Sequence, residues 1–421
     1  MKKITLLFAA LILIGGMMGQ NSAPTRQWIK SNNGFSSSNE TVVKSVKDNN
    51  GFYYVLSNDN NDALITKFDN SGAAVNTFRY NEASNNTNFG YDIKVDASGN
   101  IYVCGEAFVT SYWNWKPTIV KLSPTGTIIW EQVIACQYYT SSQANAMAFD
   151  NSNNVYFAGA NSDSLSVGLI SATGTLVWEK KYHPIGYTIG EAFDVVTDAA
   201  NNAYVTGKIM NSLTGNYDYT TFKTNSAGSF LWTKFLNGNA NSDDMGCNIE
   251  IDGSGNTFVT GTIADTTATN TSVFLIKYNA SGGQQWSKKY HKAGQTFATC
   301  GDLTLDAAGN NFISTNHFTS PSNASALISK NTSSGSQSYS TVYNDVTYIS
   351  TESHSIKADV LGNLFVGGTK QSASGDRDMF ASKFNTSGVL SWATNYDSYY
   401  SDDCKTLHLD NGNNAVLNGT G

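Results

Sequence analysis

The chain has 421 residues, a formal net charge of −7 and only 14% charged residues. That balance argues against nucleic acid or an anionic lipid surface as a partner. No stretch beyond the N-terminus approaches the ~20 consecutive apolar residues of a membrane-spanning helix, so no membrane insertion is expected.

The first residues, MKKITLLFAALILIGGMMGQ, have the three parts of a secretory signal: basic Lys2 and Lys3, an apolar run from Ile4, and small residues near Gly19. Cleavage is expected between Gly19 and Ala23. The product would be exported, either extracellular, periplasmic or on the cell surface. No Cys stands close behind the run, so no lipid anchor is expected. Residues 1–20 are read as signal, 21–27 as a short leader and 28–421 as a single all-β domain.

Within 28–421 one string recurs: DASGNIYVCG from Asp96, DNSNNVYFAG from Asp150, DAANNAYVTG from Asp198, DGSGNTFVTG from Asp252 and DVLGNLFVGG from Asp359. Its acidic residue also stands at Asp48, Asp306 and Asp410, giving eight copies spaced 48 to 54 residues apart. Three residues later comes Gly51, Gly99, Asn153, Asn201, Gly255, Gly309, Gly362 or Asn413. Gly and Asn tolerate positive φ at least cost. A further three on stands Tyr or Phe in seven copies and Val416 in the last, a choice that suits a strand packed on one face. The aspartate is read as an Asx-type cap accepting the turn's backbone N–H groups. A calcium loop would need more acidic oxygens at alternating positions. Strand, tight turn, strand is therefore the reading, with no metal and no cofactor.

A second string follows in each unit, as in KLSPTGTIIW from Lys121, KTNSAGSFLW from Lys223, KYNASGGQQW from Lys277 and KFNTSGVLSW from Lys383. A short polar residue and a glycine at fixed places again signal a hairpin. Trp130, Trp178, Trp232, Trp286 and Trp392, with Tyr339 once, follow in the next strand and are expected to pack between neighbouring sheets. Each unit thus has four strands: a, the Asp turn, b, c, the Gly turn, and d. The units lie near 42–80, 91–135, 145–183, 192–236, 247–291, 300–343 and 354–397, with a partial unit at 404–421. Units of this length and strand content predict a β-propeller of four-stranded blades. The strand around Trp28 would complete the last unit. Eight blades closed by pairing of the N- and C-terminal strands are expected, with seven as the alternative. One strand, the final c, is missing from the count.

The D-x-x-G-N-x-Y-V-x-G and K-x-N-x-x-G-x-x-x-W strings resemble the bacterial β-propeller repeat family often called SBBP, over residues 28–421. The resemblance implies an exported or cell-surface protein and says little about activity. The G-x-x-x-W ending is also similar to the Trp-docking repeats of quinoprotein dehydrogenases and of an outer-membrane assembly propeller.

Both tight turns must lie at one end of each blade, and the longer b–c and d–a connections at the other. Those connections carry Trp113, Trp115, Tyr138, Tyr139, His183, Tyr187 and Tyr217 among many Asn, Ser and Thr, a mixture suited to a neutral polar ligand such as a glycan. A binding or interaction module with a protein or glycan partner is the leading reading, and a monomer is expected. The alternatives are a glycan-active hydrolase using loop carboxylates, Asp376 with Asp378 or Asp243 with Asp244, and a quinoprotein-like or assembly scaffold. The five histidines show no metal spacing, and no nucleophile elbow is present, so no catalytic residue is assigned. Among five Cys, Cys247 and Cys300 occupy equivalent places in successive units. Whether they face one another depends on register.

Overall fold

A computed structural model describes strands at Ile12–Gly15 and Thr25–Trp28 by their backbone, and residues 40–59, 62–80, 87–109, 113–136, 142–265, 270–398 and 401–420 with side chains. The fold is all-β, with no helix among the described residues. It is a β-propeller of four-stranded antiparallel blades. Seven blades form from four consecutive strands: blade 1 over 41–80, blade 2 over 88–133, blade 3 over 143–182, blade 4 over 187–236, blade 5 over 245–290, blade 6 over 297–343 and blade 7 over 350–396. The expected eight is thereby corrected to seven, because only an a–b hairpin, Asp403–Leu409 with Ala415–Thr420, remains after blade 7. That hairpin is extended by segments from the N-terminus. Ile12–Gly15 pairs with Ala415–Thr420, and Thr25–Trp28 pairs with Ile12–Gly15. The place of the missing c strand is thus taken by part of the apolar run itself.

The chain divides into two compact units, one of residues 1–81 with 304–421 and the other of residues 82–303. Inside the first, the ends of the sequence meet. Val42 N donates to Thr420 Oγ1 at 2.9 Å, and Ser45 Oγ lies 2.7 Å from His408 Nε2. Lys47 Nζ donates to the carbonyl of Leu409. Inside the second, the core of blades 3 and 4 is continuous. Tyr156, Leu165, Val167, Ala192, Val205 and Phe222 form one buried cluster.

Burial follows strand position. In blade 3, Val155–Asn161 and Ser164–Ile170, strands b and c, are buried at every residue, whereas the d strand Leu176–Tyr182 is exposed or half-buried at every residue but Tyr182. A strand covered on both faces reads as an unbroken apolar or small-residue run, as in VYFAGAN, and a fully buried Tyr or Phe there is worth about 1.5–3 kcal/mol.

The a strands share an irregularity. Their pairing with b skips one residue, at Tyr91, Asn145, Phe193 and Cys247 in blades 2 to 5. Such a bulge adds a residue and re-aims the side chain it carries. In the unit 82–303 Cys247 is joined by a disulfide to Cys300 of the next a strand, with Cα atoms 6.4 Å apart. Cys104 and Cys404, both buried, and Cys136 take part in no disulfide.

Candidate functional site

The repeated acidic turns are closed on themselves. In all eight, the backbone N–H groups two and four residues beyond the aspartate donate to its Oδ1 at 2.7–3.0 Å. The third residue holds positive φ whether it is Gly or Asn, for example 88° at Gly51 and 58° at Asn153. Asp198 shows the full set. Its Oδ2 accepts from Asn202 Nδ2 at 2.7 Å and from the Tyr204 hydroxyl at 2.9 Å, with Lys223 Nζ at 3.3 Å. Burial works against ionisation here, but the Asn202, Tyr204 and Lys223 contacts outweigh it and hold the Asp198 carboxyl below its ordinary value. Asp96 is held down in the same way.

Two partners in this arrangement had no role in the sequence reading. The Asn four residues after the aspartate bonds its Oδ2 at 2.8 Å in the turns of Asp96, Asp150, Asp252, Asp306, Asp359 and Asp410 as well. The Lys that opens each second string sits over the b-strand ring, at 4.9 Å for Lys121 on Tyr102 and 4.5 Å for Lys223 on Tyr204. The recurrence of both residues in the strings was the available signal.

The tryptophans tie blades together. Trp130, Trp178 and Trp232 each donate Nε1–H to a backbone carbonyl in the Gly turn of the following blade, at Ala172, Ser226 and Ala280. Their edges meet Tyr102, Tyr156 and Tyr204 with ring centres 5.8–5.9 Å apart. The turn glycine is therefore constrained twice. Gly174 has φ +92°, and a Cβ there would stand 2.5 Å from Trp130 Cγ.

The opposite end of the blades holds the candidate binding residues, and several lie on strands rather than loops. Strands b and c of blade 2 run to Val109 and from Asn114, b and c of blade 4 to Asn211 and from Tyr217, so the ribbons extend further than the sequence suggested. Trp115 stacks on Phe89 with ring centres 5.4 Å apart and meets Phe108 edge-on at 5.3 Å. Phe108 in turn meets Trp113 at 6.2 Å. Trp113 is 73% exposed and has φ 49°, in the left-handed region that bulky residues avoid. These four rings form one platform. Tyr138 and Tyr139 lie outside the described residues. His183 Nε2 lies 2.7 Å from Ser164 Oγ, and His291 Nδ1 lies 3.2 Å from Ser272 Oγ. Tyr187 is occupied locally, stacked on Phe235 at 4.3 Å with its hydroxyl donating to Asp218.

Tyr217 lines a cleft of about 480 Å³ at the b–c and d–a ends of blades 4 and 5, together with Lys208, Asp243, Met245, Thr271 and Phe297. Asp244, also in its wall, is 1% exposed and accepts the backbone N–H groups of Gly238 and Ala264. Burial raises its pKa to about 6 against those two bonds, with Asp218 and Asp243 pushing the same way. Asp243 is exposed and accepts the Tyr217 N–H at 3.0 Å. Asp376 and Asp378 are brought together with Asp397, one carboxylate oxygen of each lying within 4.8 Å of the others. Asp378 accepts the Tyr348 hydroxyl. Its pKa is raised by burial and by Asp397 and Asp376.

No protein-family model matches the chain, and no curated protein matches it either. Solved structures do. A protein from Lactobacillus plantarum is 14% identical, with 86% of this chain and 97% of that one covered and a TM-score of 0.50. An ulvan lyase, a polysaccharide lyase, is 10% identical over 91% of this chain and 94% of its own, at a TM-score of 0.49. A prolyl endopeptidase is 10% identical over 86% of this chain and 50% of its own, also at 0.49. At 14% identity the first of these likenesses shows the fold alone, a β-propeller, and nothing about activity.

Proposed function

We propose that the chain is an exported binding module that holds a neutral glycan on the aromatic platform at the b–c end of blade 2. The observation that carries this reading is Trp113. A bulky residue kept at φ 49° with 73% of its surface exposed costs about 1–3 kcal/mol of backbone strain and returns little burial. Strain of that kind is retained where a side chain is presented to something else. Trp113 offers its exposed ring to sugar C–H groups, and Trp115, stacked on Phe89, supports it through Phe108. The rigid scaffold beneath removes much of the ordering cost of binding. The leader and the Cys247–Cys300 disulfide support export, since disulfides persist in oxidising compartments.

The SBBP-type repeat assignment belongs to the same proposal, as does closure of the propeller through the composite terminal sheet. The N-terminus enters that closure in competing ways. Retained, Ile12–Gly15 is the c strand; cleaved between Gly19 and Ala23, it leaves the c-side edge of Ala415–Thr420 open.

Titration against an oligosaccharide panel is the test. Trp113→Ala and Trp115→Ala are each expected to weaken binding at least about tenfold with unfolding midpoints unchanged for Trp113→Ala. Unaltered affinity in both variants would remove these rings from the site.

A further inference from the structure

The cleft beside Tyr217 has a chemistry of its own. Its walls are the faces or edges of Tyr217, Phe297 and Met245, and its volume of about 480 Å³ falls within the range of small-ligand sites. The lining carries one ammonium, Lys208, and two carboxylates, Asp243 and Asp244. Lys208 is already matched, with Nζ 3.5 Å from Glu191 Oε2. Asp244 spends its oxygens on two backbone N–H groups deep in the wall. Asp243 bonds the Tyr217 N–H through Oδ1 and stands exposed at the rim.

We propose that this cleft binds an ammonium or guanidinium group borne on an apolar stem. The Lys208–Glu191 pair, Asp243 and Asp244 together leave the site negative, which disfavours an anionic ligand and gives a neutral one no advantage. The aromatic walls favour a cation over any other polar group. Lys208 displays the mode within the site itself, its Nζ lying 4.9 Å from the ring centre of Tyr217 and 5.3 Å from that of Phe193. The apolar faces of Met245 and Phe297 then take the stem. This site is separate from the blade 2 platform and does not depend on glycan binding there.

Calorimetric titration of the whole chain with acetyl-Gly-Arg-Gly-amide, its citrulline counterpart and butylguanidinium tests the proposal. The arginine peptide is expected to bind roughly tenfold more tightly than the citrulline peptide. Asp243→Asn keeps the acceptor for Tyr217 N–H and is expected to weaken the arginine peptide about threefold to tenfold. Met245→Lys, at a position already 38% exposed, is expected to abolish binding by putting a second ammonium, not matched as Lys208 is by Glu191, on the apolar wall that takes the stem. Butylguanidinium matching the peptide identifies a free small cation as the ligand, and a much weaker response identifies a polypeptide side chain; both support the proposal. Equal affinity for arginine and citrulline, no binding of either, or indifference to both substitutions overturns it.

Discussion

Gly174→Ala is expected to destabilise the protein by about 2–5 kcal/mol in denaturant unfolding. Two effects add. An alanine at φ +92° sits in the left-handed region at a cost of roughly 1–2 kcal/mol. The new methyl then meets the Trp130 ring at 2.5 Å and 2.8 Å, and overpacking of that kind costs about 1–3 kcal/mol. Gly186 separates the two, because its φ is +88° but no atom lies within 4 Å of a Cβ built there. Gly186→Ala should therefore show the backbone term alone. Combining Gly174→Ala with Trp130→Ala should cost less than the sum of the single changes, because the clash needs both partners. Equal effects at Gly174 and Gly186 would mean that the ring does not rest on the turn.

Replacing Cys247 and Cys300 together by serine is expected to remove about 4 kcal/mol. The bridge closes a loop of 53 residues in the sequence, and the chain-entropy relation for that length gives this size. The disulfide also joins neighbouring a strands within the unit 82–303, so its loss should appear there first, as faster amide exchange in blade 5. Cys404→Ser serves as a control in the other unit, since Cys404 is buried and free. Its effect should stay local to the terminal hairpin and to blade 7, where Cys404 packs against Phe365, Met379 and Trp392. An unchanged midpoint in the double-serine variant would show that no bridge between the two sulfurs restricts the unfolded chain.

These contrasts also explain what the sequence disclosed and what it withheld. The Asp turns were legible because a tight turn makes demands on single residues. Positive φ calls for Gly or Asn, and orphan N–H groups call for a short carboxylate, so the requirement is written at fixed offsets. The ring that rests on Gly174 was not legible, because Trp130 is 44 positions earlier and only the packed fold brings them together. Cys247 and Cys300 stood in equivalent places, but their facing depends on a bulge at Cys247 that no local pattern marks. Part of the apolar run at the N-terminus carries the signature of a leader, and nothing local distinguishes that from the strand Ile12–Gly15. The candidate site was legible only as a region. Trp113, Trp115 and Tyr217 fall at the correct end of their blades, but the cleft that gathers Tyr217, Met245 and Phe297 joins positions from three successive repeats, and no spacing rule connects them.

The division between a self-satisfied turn end and a recognising opposite end is tested most directly by hydrogen exchange of the eight Asp turns, followed in excess calcium and in excess chelator. Each Asp Oδ1 already accepts two backbone N–H groups, so exchange at residues two and four beyond Asp48, Asp96, Asp150, Asp198, Asp252, Asp306, Asp359 and Asp410 should be the same in both conditions. Calcium-dependent protection at several of these turns would mean that the repeated carboxylates hold ions rather than their own backbone, and would contradict that division.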